Sequence, residues 1–119
     1  MDSEERRKFP RVSCYIGVHY KILLSPHEYA LATHSADIST GGIRIFLLKN
    51  LPVGSILELE LLLPDSAQEI IVHGRIAWTK EFTTSDAKHT QKAWEAGLEF
   101  SGLKAQELAL IQRYVLERL

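Results

Sequence analysis

Between Val12 and Ile22 the sequence keeps a strict period of two. Val12, Cys14, Ile16, Val18, Tyr20 and Ile22 fall on one face, and Ser13, Tyr15, Gly17, His19 and Lys21 on the other. Only an extended chain with one buried face puts side chains alternately on opposite sides in this way, so the pattern predicts a half-buried strand and commits the chain to a sheet. The same period returns along the chain. Ser25-Pro26-His27 breaks the first strand, and Tyr29, Leu31 and Thr33 predict a second that ends near Ala36. Asp37–Gly42 reads as a tight turn, Ile43–Leu48 as a short strand, and Asn50–Gly54 as a breaker. Ile56–Leu63 carries Glu58 and Glu60 opposite Leu57, Leu59, Leu61 and Leu63. After the turn Pro64-Asp65-Ser66, Glu69–Lys80 alternates with Ile70, Val72, Gly74, Ile76 and Trp78 on one side. Thr83–Gln91 is polar and aperiodic and reads as a loop. Trp94, Ala96, Leu98 and Phe100 form the inner face of a last strand.

After Ser101-Gly102 the period becomes helical, with Leu108, Ile111 and Val115 at i, i+3 and i+7 and Leu110 and Tyr114 beside them. The expected fold is mainly β: a six-stranded antiparallel split barrel, residues 12–119, capped by a C-terminal helix at about 103–118. Residues 1–11 read as a separate basic arm. No internal repeat or low-complexity segment interrupts this single domain.

Composition narrows the function. With 119 residues, 45% apolar and 24% charged, the chain can bury one core without staples. Cys14 is the only cysteine, so no internal disulfide forms. No apolar stretch is long enough to span a bilayer, and none of the signal type follows the charged Met1–Arg11, so the expectation is no membrane insertion and a cytoplasmic protein. A net charge of −1 is unlike that of a protein that coats nucleic acid. The distribution of charge says more than the sum, because Arg6, Arg7, Lys8 and Arg11 place four cations within six residues. Such a cluster serves a small anionic ligand while the remaining surface stays neutral.

Enzyme chemistry finds little footing. The five histidines form no His-Glu-x-x-His and meet no cysteine pair, and neither a Gly-x-Ser-x-Gly elbow nor a Gly-x-x-x-x-Gly-Lys loop is present. His19 and His73 are outward strand positions, and Glu58 and Glu60 are explained by alternation on a solvated face. The expectation is a non-enzyme with no metal and no cofactor.

Two segments remain. Arg7-Lys8-Phe9-Pro10-Arg11 sets two arginines four apart just before the first strand, and Pro10 biases it towards an extended arm. Asp37-Ile38-Ser39-Thr40-Gly41-Gly42 joins two strands. Taken singly, the first reads as a solvated tail and the second as ordinary turn chemistry, with Asp and Ser bonding nearby N–H groups and glycine supplying a positive φ. Their order carries more. Arg-x-x-x-Arg, then Asp-x-Ser-x-x-Gly beginning 26 residues past Arg11, resembles the two-part signature of the PilZ family. Gly74-Arg75-Ile76-Ala77-Trp78 and Ala96-Gly97-Leu98-Glu99-Phe100 match the family's later strands in the same order, so the likeness runs from about Arg6 to Leu119.

The resemblance implies a barrel that binds cyclic di-GMP at one end through Arg7, Arg11, Asp37, Ser39 and Gly42. The chemistry of each residue type agrees. A forked guanidinium matches the O6 and N7 acceptors of guanine and bonds phosphate. A carboxylate accepts from N1–H and N2–H₂. Arg6, ahead of the motif, implies room for two stacked ligand molecules per domain. Trp78 reads as core or rim packing, with a ligand-facing role as the alternative, and Arg44 and Arg75 as exposed cations on strands that could also line the binding face. The implied role is a receptor that signals to a separate effector protein by ordering its arginine arm. The alternative is an interaction adaptor of the same fold that binds no nucleotide; a single-stranded nucleic-acid binder would need an aromatic stripe that the sequence does not display.

Overall fold

The computed structural model describes residues 11–23, 30–64, 70–85 and 88–119. Among these residues seven strands and one helix follow in order: β1 (Val12–Ser13), β2 (Gly17–Ile22), β3 (Leu31–Ile38), β4 (Gly42–Leu47), β5 (Ile56–Leu62), β6 (Ile70–Ser85), β7 (Thr90–Ser101) and α1 (Ala105–Leu116). All pairings are antiparallel. The sheet runs β1-β3-β2-β5-β6-β7-β4, and β4 returns to pair with β3. Six strands therefore close into a barrel, the fold the alternation predicts. Closure leaves no free edge between β3 and β4 for another chain to extend.

The inward residues fill the barrel. Val18, Ile38, Ile45, Leu57, Leu59 and Ile76 are completely buried, and Ile111, Tyr114 and Val115 of α1 join the same cluster. Each large aliphatic side chain in such a position contributes about 1.5–3 kcal/mol relative to exposure. Leu108, expected on the inner stripe of the helix, is 40% exposed instead. The helix starts after Lys104, whose backbone N–H is accepted by the Glu107 carboxylate at 2.9 Å.

Three departures from the expected elements have local causes. First, the run Val12–Ile22 is two strands rather than one. The faces are as predicted, but Cys14–Ile16 forms a corner between β1 and β2, which both pair with β3. Second, β3 carries a bulge. Its register passes from Ser35 opposite Ile45 to Asp37 opposite Arg44, so one extra residue, Ala36, is accommodated and the strand continues to Ile38 instead of ending near Ala36. Third, Thr83–Gln91 is largely not loop, because β6 and β7 stay paired out to Ser85 opposite Thr90. That part of the hairpin is exposed on most positions, which removes the alternation that would have announced it. Residues 1–10 of the expected arm, the start of the second strand at Tyr29 and the turn residues Asp65 and Ser66 lie outside the described residues.

Ser35 joins the corner to the bulge. Its side chain is 1% exposed. The hydroxyl donates to the Cys14 carbonyl at 3.0 Å and accepts from the Ile16 N–H at 3.2 Å. The backbones add Ser35 N–H to the Ile16 carbonyl at 3.0 Å and Cys14 N–H to the Ala36 carbonyl at 3.1 Å. Ser35→Ala strands one buried donor and one buried acceptor, and should lower unfolding free energy by about 1–3 kcal/mol in urea denaturation. Ser13→Ala, at an exposed position of β1, should change it by less than about 0.5 kcal/mol.

Candidate functional site

The bulge decides where Asp37 points. In an uninterrupted strand, residues two apart share a face, so Asp37 would follow the buried, inward Ser35. One extra residue moves it to the outer surface, opposite Arg44, while Ile38 returns to the core opposite Ile43. Ser39 then turns the chain. Its N–H reaches the Gly42 carbonyl at 2.9 Å, and its Oγ accepts from the N–H groups of Gly41 at 3.1 Å and Gly42 at 3.2 Å. Ser39 is 4% exposed, so its hydroxyl serves the turn backbone first, the alternative that the sequence left beside ligand contact.

Gly42 opens β4, opposite Glu99. A Cβ there would collide with the Leu98 carbonyl oxygen. Close approach of β4 to β7, rather than a left-handed φ, is what requires glycine at this position; among the described glycines, the positive φ values belong to Gly54 and Gly102.

Asp37 is 8% exposed and has two cations beside it. Arg44 Nη2 lies 3.1 Å from Oδ2, an ion pair. Arg11 Nη1 lies 3.9 Å from Oδ1, an ion pair without a hydrogen bond. Arg11 thus sits at the turn, as the motif reading expects. Arg6 and Arg7 lie outside the described residues. Arg44, read as an exposed cation that could line the site, is within it: its Nη1 also contacts Glu95 Oε2 at 3.4 Å. Arg75 lies in the neighbouring row of the same outer face, half exposed and paired at 3.0 Å with Glu99, which stands opposite Gly42.

Trp78 changes sides relative to the expectation. The register of β6 against β7 passes from Ile76 opposite Leu98 to Trp78 opposite Gly97, a second bulge at Ala77. Trp78 therefore leaves the inward face of Ile70–Ile76 and is 37% exposed. Its indole covers Gly97 so closely that a Cβ there would overlap the ring. Since Gly97 is opposite Arg44, and Arg44 opposite Asp37, one row across the outer surface reads Trp78, Gly97, Arg44, Asp37. The row combines a flat ring and an anionic acceptor, which suit a group that stacks and donates, with the Arg44 guanidinium held between the carboxylates of Asp37 and Glu95.

A further group was not legible in the sequence. Tyr15 stacks on His34 with ring centroids 4.3 Å apart, His34 meets Phe46 at 5.0 Å, and Phe46 meets Phe82 edge-on at 5.9 Å. The four rings come from four segments, so no linear stripe announces them. The charges nearby are of both signs, Glu81 with Lys92 and Glu95 with Arg44, unlike the basic groove of a single-strand binder.

Away from this face the strand carboxylates have the outward, cross-strand positions that alternation predicts. Glu60 pairs with His19 at 2.8 Å and Glu58 with Lys21 at 3.8 Å, each directly across the β2–β5 ladder. Among the described residues no group of His, Cys, Asp and Glu could hold a metal ion, and no helix is long and apolar enough to cross a membrane.

Comparison with known proteins gives a consistent picture. The family model of the PilZ domain matches residues 5–117. A search of curated proteins by sequence gave no significant match. Among solved structures, the chain resembles the Bacillus subtilis inhibitor of motility MotI/DgrA, with a TM-score of 0.71 and 24% identity over 95% of this chain and 51% of that one. It also resembles the PilZ domain with c-di-GMP of YcgR from Escherichia coli, with a TM-score of 0.71 and 17% identity over 95% and 91% of the two chains. The MrkH–c-di-GMP complex of K. pneumonia gives a TM-score of 0.74 and 16% identity over 94% and 52%. The chain thus spans about half the length of MotI/DgrA and of MrkH.

The glycine geometry has a measurable consequence. Gly42→Ala sets a methyl group against a backbone carbonyl that cannot rotate away, and should lower unfolding free energy by at least about 1–3 kcal/mol in chemical denaturation. Gly54→Ala, where no atom stands within 4 Å, should suffer only from its left-handed φ, by about 1 kcal/mol.

Proposed function

This chain belongs to the PilZ domain family, and from that premise we propose that it is a receptor module for cyclic di-GMP. The observation that carries the reading is the placement of Asp37. A bulge turns the signature carboxylate outward and sets it beside Arg11, the second arginine of the arm motif. The E. coli YcgR and K. pneumonia MrkH structures hold c-di-GMP, which gives the ligand class its support.

In the proposed complex, Asp37 accepts from N1–H and N2–H₂ of one guanine. Arg7 and Arg11 engage the O6/N7 edge and the phosphates, where a planar fork outperforms an ammonium. Ser39 and Gly42 hold the turn at the depth that lets the ligand lie close to the backbone. Trp78 offers a flat surface in the same row. Arg6 adds the charge needed for a second, stacked ligand molecule, giving two per domain. Each step is recognition by charge, hydrogen bonds and stacking, and none makes or breaks a covalent bond, so the protein acts as a receptor and not an enzyme.

Ligand binding draws the rest of the arm, residues 1–10, onto the barrel end beside residues 37–42, where Arg11 already stands. The reordered arm, or the surface next to it, then presents a new face to a separate effector protein in the cytoplasm. The competing reading is an adaptor of the same fold that contacts proteins without nucleotide. Its support is the ring ladder of Tyr15, His34, Phe46 and Phe82, an apolar strip of the kind that protein partners use.

Calorimetric titration separates the two. The parent should release heat with cyclic di-GMP at tens of micromolar or below, with two ligands per chain. Arg7→Ala and Asp37→Ala should each weaken binding by at least about tenfold, the cost of leaving a ligand group unpaired. Affinity should also fall as salt is added, because phosphate charge supplies much of the attraction. No heat with the parent favours the adaptor, and one ligand per chain removes the role given to Arg6.

A further inference from the structure

Arg44 differs from the other described cations of the barrel wall. Lys21, Arg75 and Lys92 each face one carboxylate, and their side chains are 45–69% exposed. Arg44 is 35% exposed and bridges two carboxylates from neighbouring strands, Asp37 of β3 at 3.1 Å and Glu95 of β7 at 3.4 Å. Its Nε is shut off from solvent and has no hydrogen-bond partner among the described residues, while both terminal nitrogens lie against carboxylates. Across the outer face the charges alternate in sign: Glu95, Arg44, Asp37, Arg11.

The consequence falls on Asp37. Among the described residues, Arg44 forms the close ion pair with Oδ2 at 3.1 Å, while Oδ1 has only Arg11 at 3.9 Å. One oxygen fixes the rotamer and the other keeps its lone pairs for a donor. Glu95 holds the guanidinium from the far side, so the direction of the free oxygen is set by three strands rather than by the turn alone. Without Arg44, Arg11 is the cation left beside Asp37 among the described residues, and the carboxylate loses its closer partner.

We propose that Arg44 is the positioning residue for guanine recognition, holding Asp37 through Oδ2 so that Oδ1 meets the N1–H and N2–H₂ donors of the base. The role rests on the cyclic di-GMP reading above and refines it. Adenine carries an acceptor at N1, so an oxygen fixed in this direction also repels the wrong base. Arg44 does its work on Asp37, without neutralising a phosphate.

The test is calorimetric titration of the full chain with cyclic di-GMP at several salt concentrations, for the parent, Arg44→Gln and Arg44→Lys, with urea denaturation of each without ligand. Arg44→Gln should bind at least about tenfold more weakly, with the parent's slope of log affinity against log salt. Arg44→Lys should recover at least about threefold of that loss, because an ammonium keeps one bond to Asp37. If Arg44→Gln does not fold, Arg44→Lys alone decides, by a weakening of about threefold with an unchanged salt slope. Parent-like affinity in Arg44→Gln overturns the inference and leaves the receptor reading standing. A flatter salt slope overturns it in favour of a direct phosphate contact. Equal losses in both variants, matched by loss of stability, overturn it in favour of a structural ion pair. A parent that takes up no ligand overturns the receptor reading itself, and this inference with it.

Discussion

Strand β3 has to satisfy two demands that a regular strand cannot meet together. Ser35 must face inward to bond the corner Cys14–Ile16, and Asp37, two residues on, must face outward to stand beside Arg44 and Arg11. A bulge at Ala36 is the means by which both occur. The rest of the site follows from it. Once the face is switched, Ile38 drops into the core, β1 can pair with the end of β3, and Ser39 closes the turn into β4. The buried hydroxyl of Ser35, bonded on both sides, keeps the extra residue from being absorbed by a register slip.

Close packing supplies the second half of the arrangement. Glycines at 42 and 97 allow two approaches that any side chain would prevent, the first by the Leu98 backbone and the second by the Trp78 ring. Together with the bulge at Ala77, they bring a ring, a guanidinium and a carboxylate into one row across β6, β7, β4 and β3. The barrel's interior is almost wholly aliphatic, so this row of aromatic and charged side chains sits on the outer wall of the barrel.

Much of this was legible in the sequence, for reasons that can be named. Period-two alternation identified the inward residues of β2, β5 and β7, because burial of one face leaves that imprint. The family resemblance implied that Asp37 and Arg11 share one end of the barrel, and they stand 3.9 Å apart. Wherever the period broke, the reading failed. Trp78 was assigned to the inner face since a bulge leaves no mark in composition, and the corner at Cys14–Ile16 kept its alternation while losing its strand. The ends of β6 and β7 were taken for loop because neither face there is buried. The pairing of Arg44 with Asp37 and Glu95, and the ladder from Tyr15 to Phe82, depend on which strands lie side by side. That is a property of the closed sheet, and no window along the chain contains it.

The central claim is that the outer row running from Trp78 to Asp37, with Arg11 at its end, is the surface that receives the nucleotide. Backbone amide chemical shifts followed by NMR during addition of cyclic di-GMP test it most directly. The account predicts that the changes concentrate at Arg11, residues 37–44, Trp78 and Gly97, and leave His19, Lys21, Glu58 and Glu60 unmoved. Changes centred on the β2–β5 face, or none at saturating ligand, would contradict it.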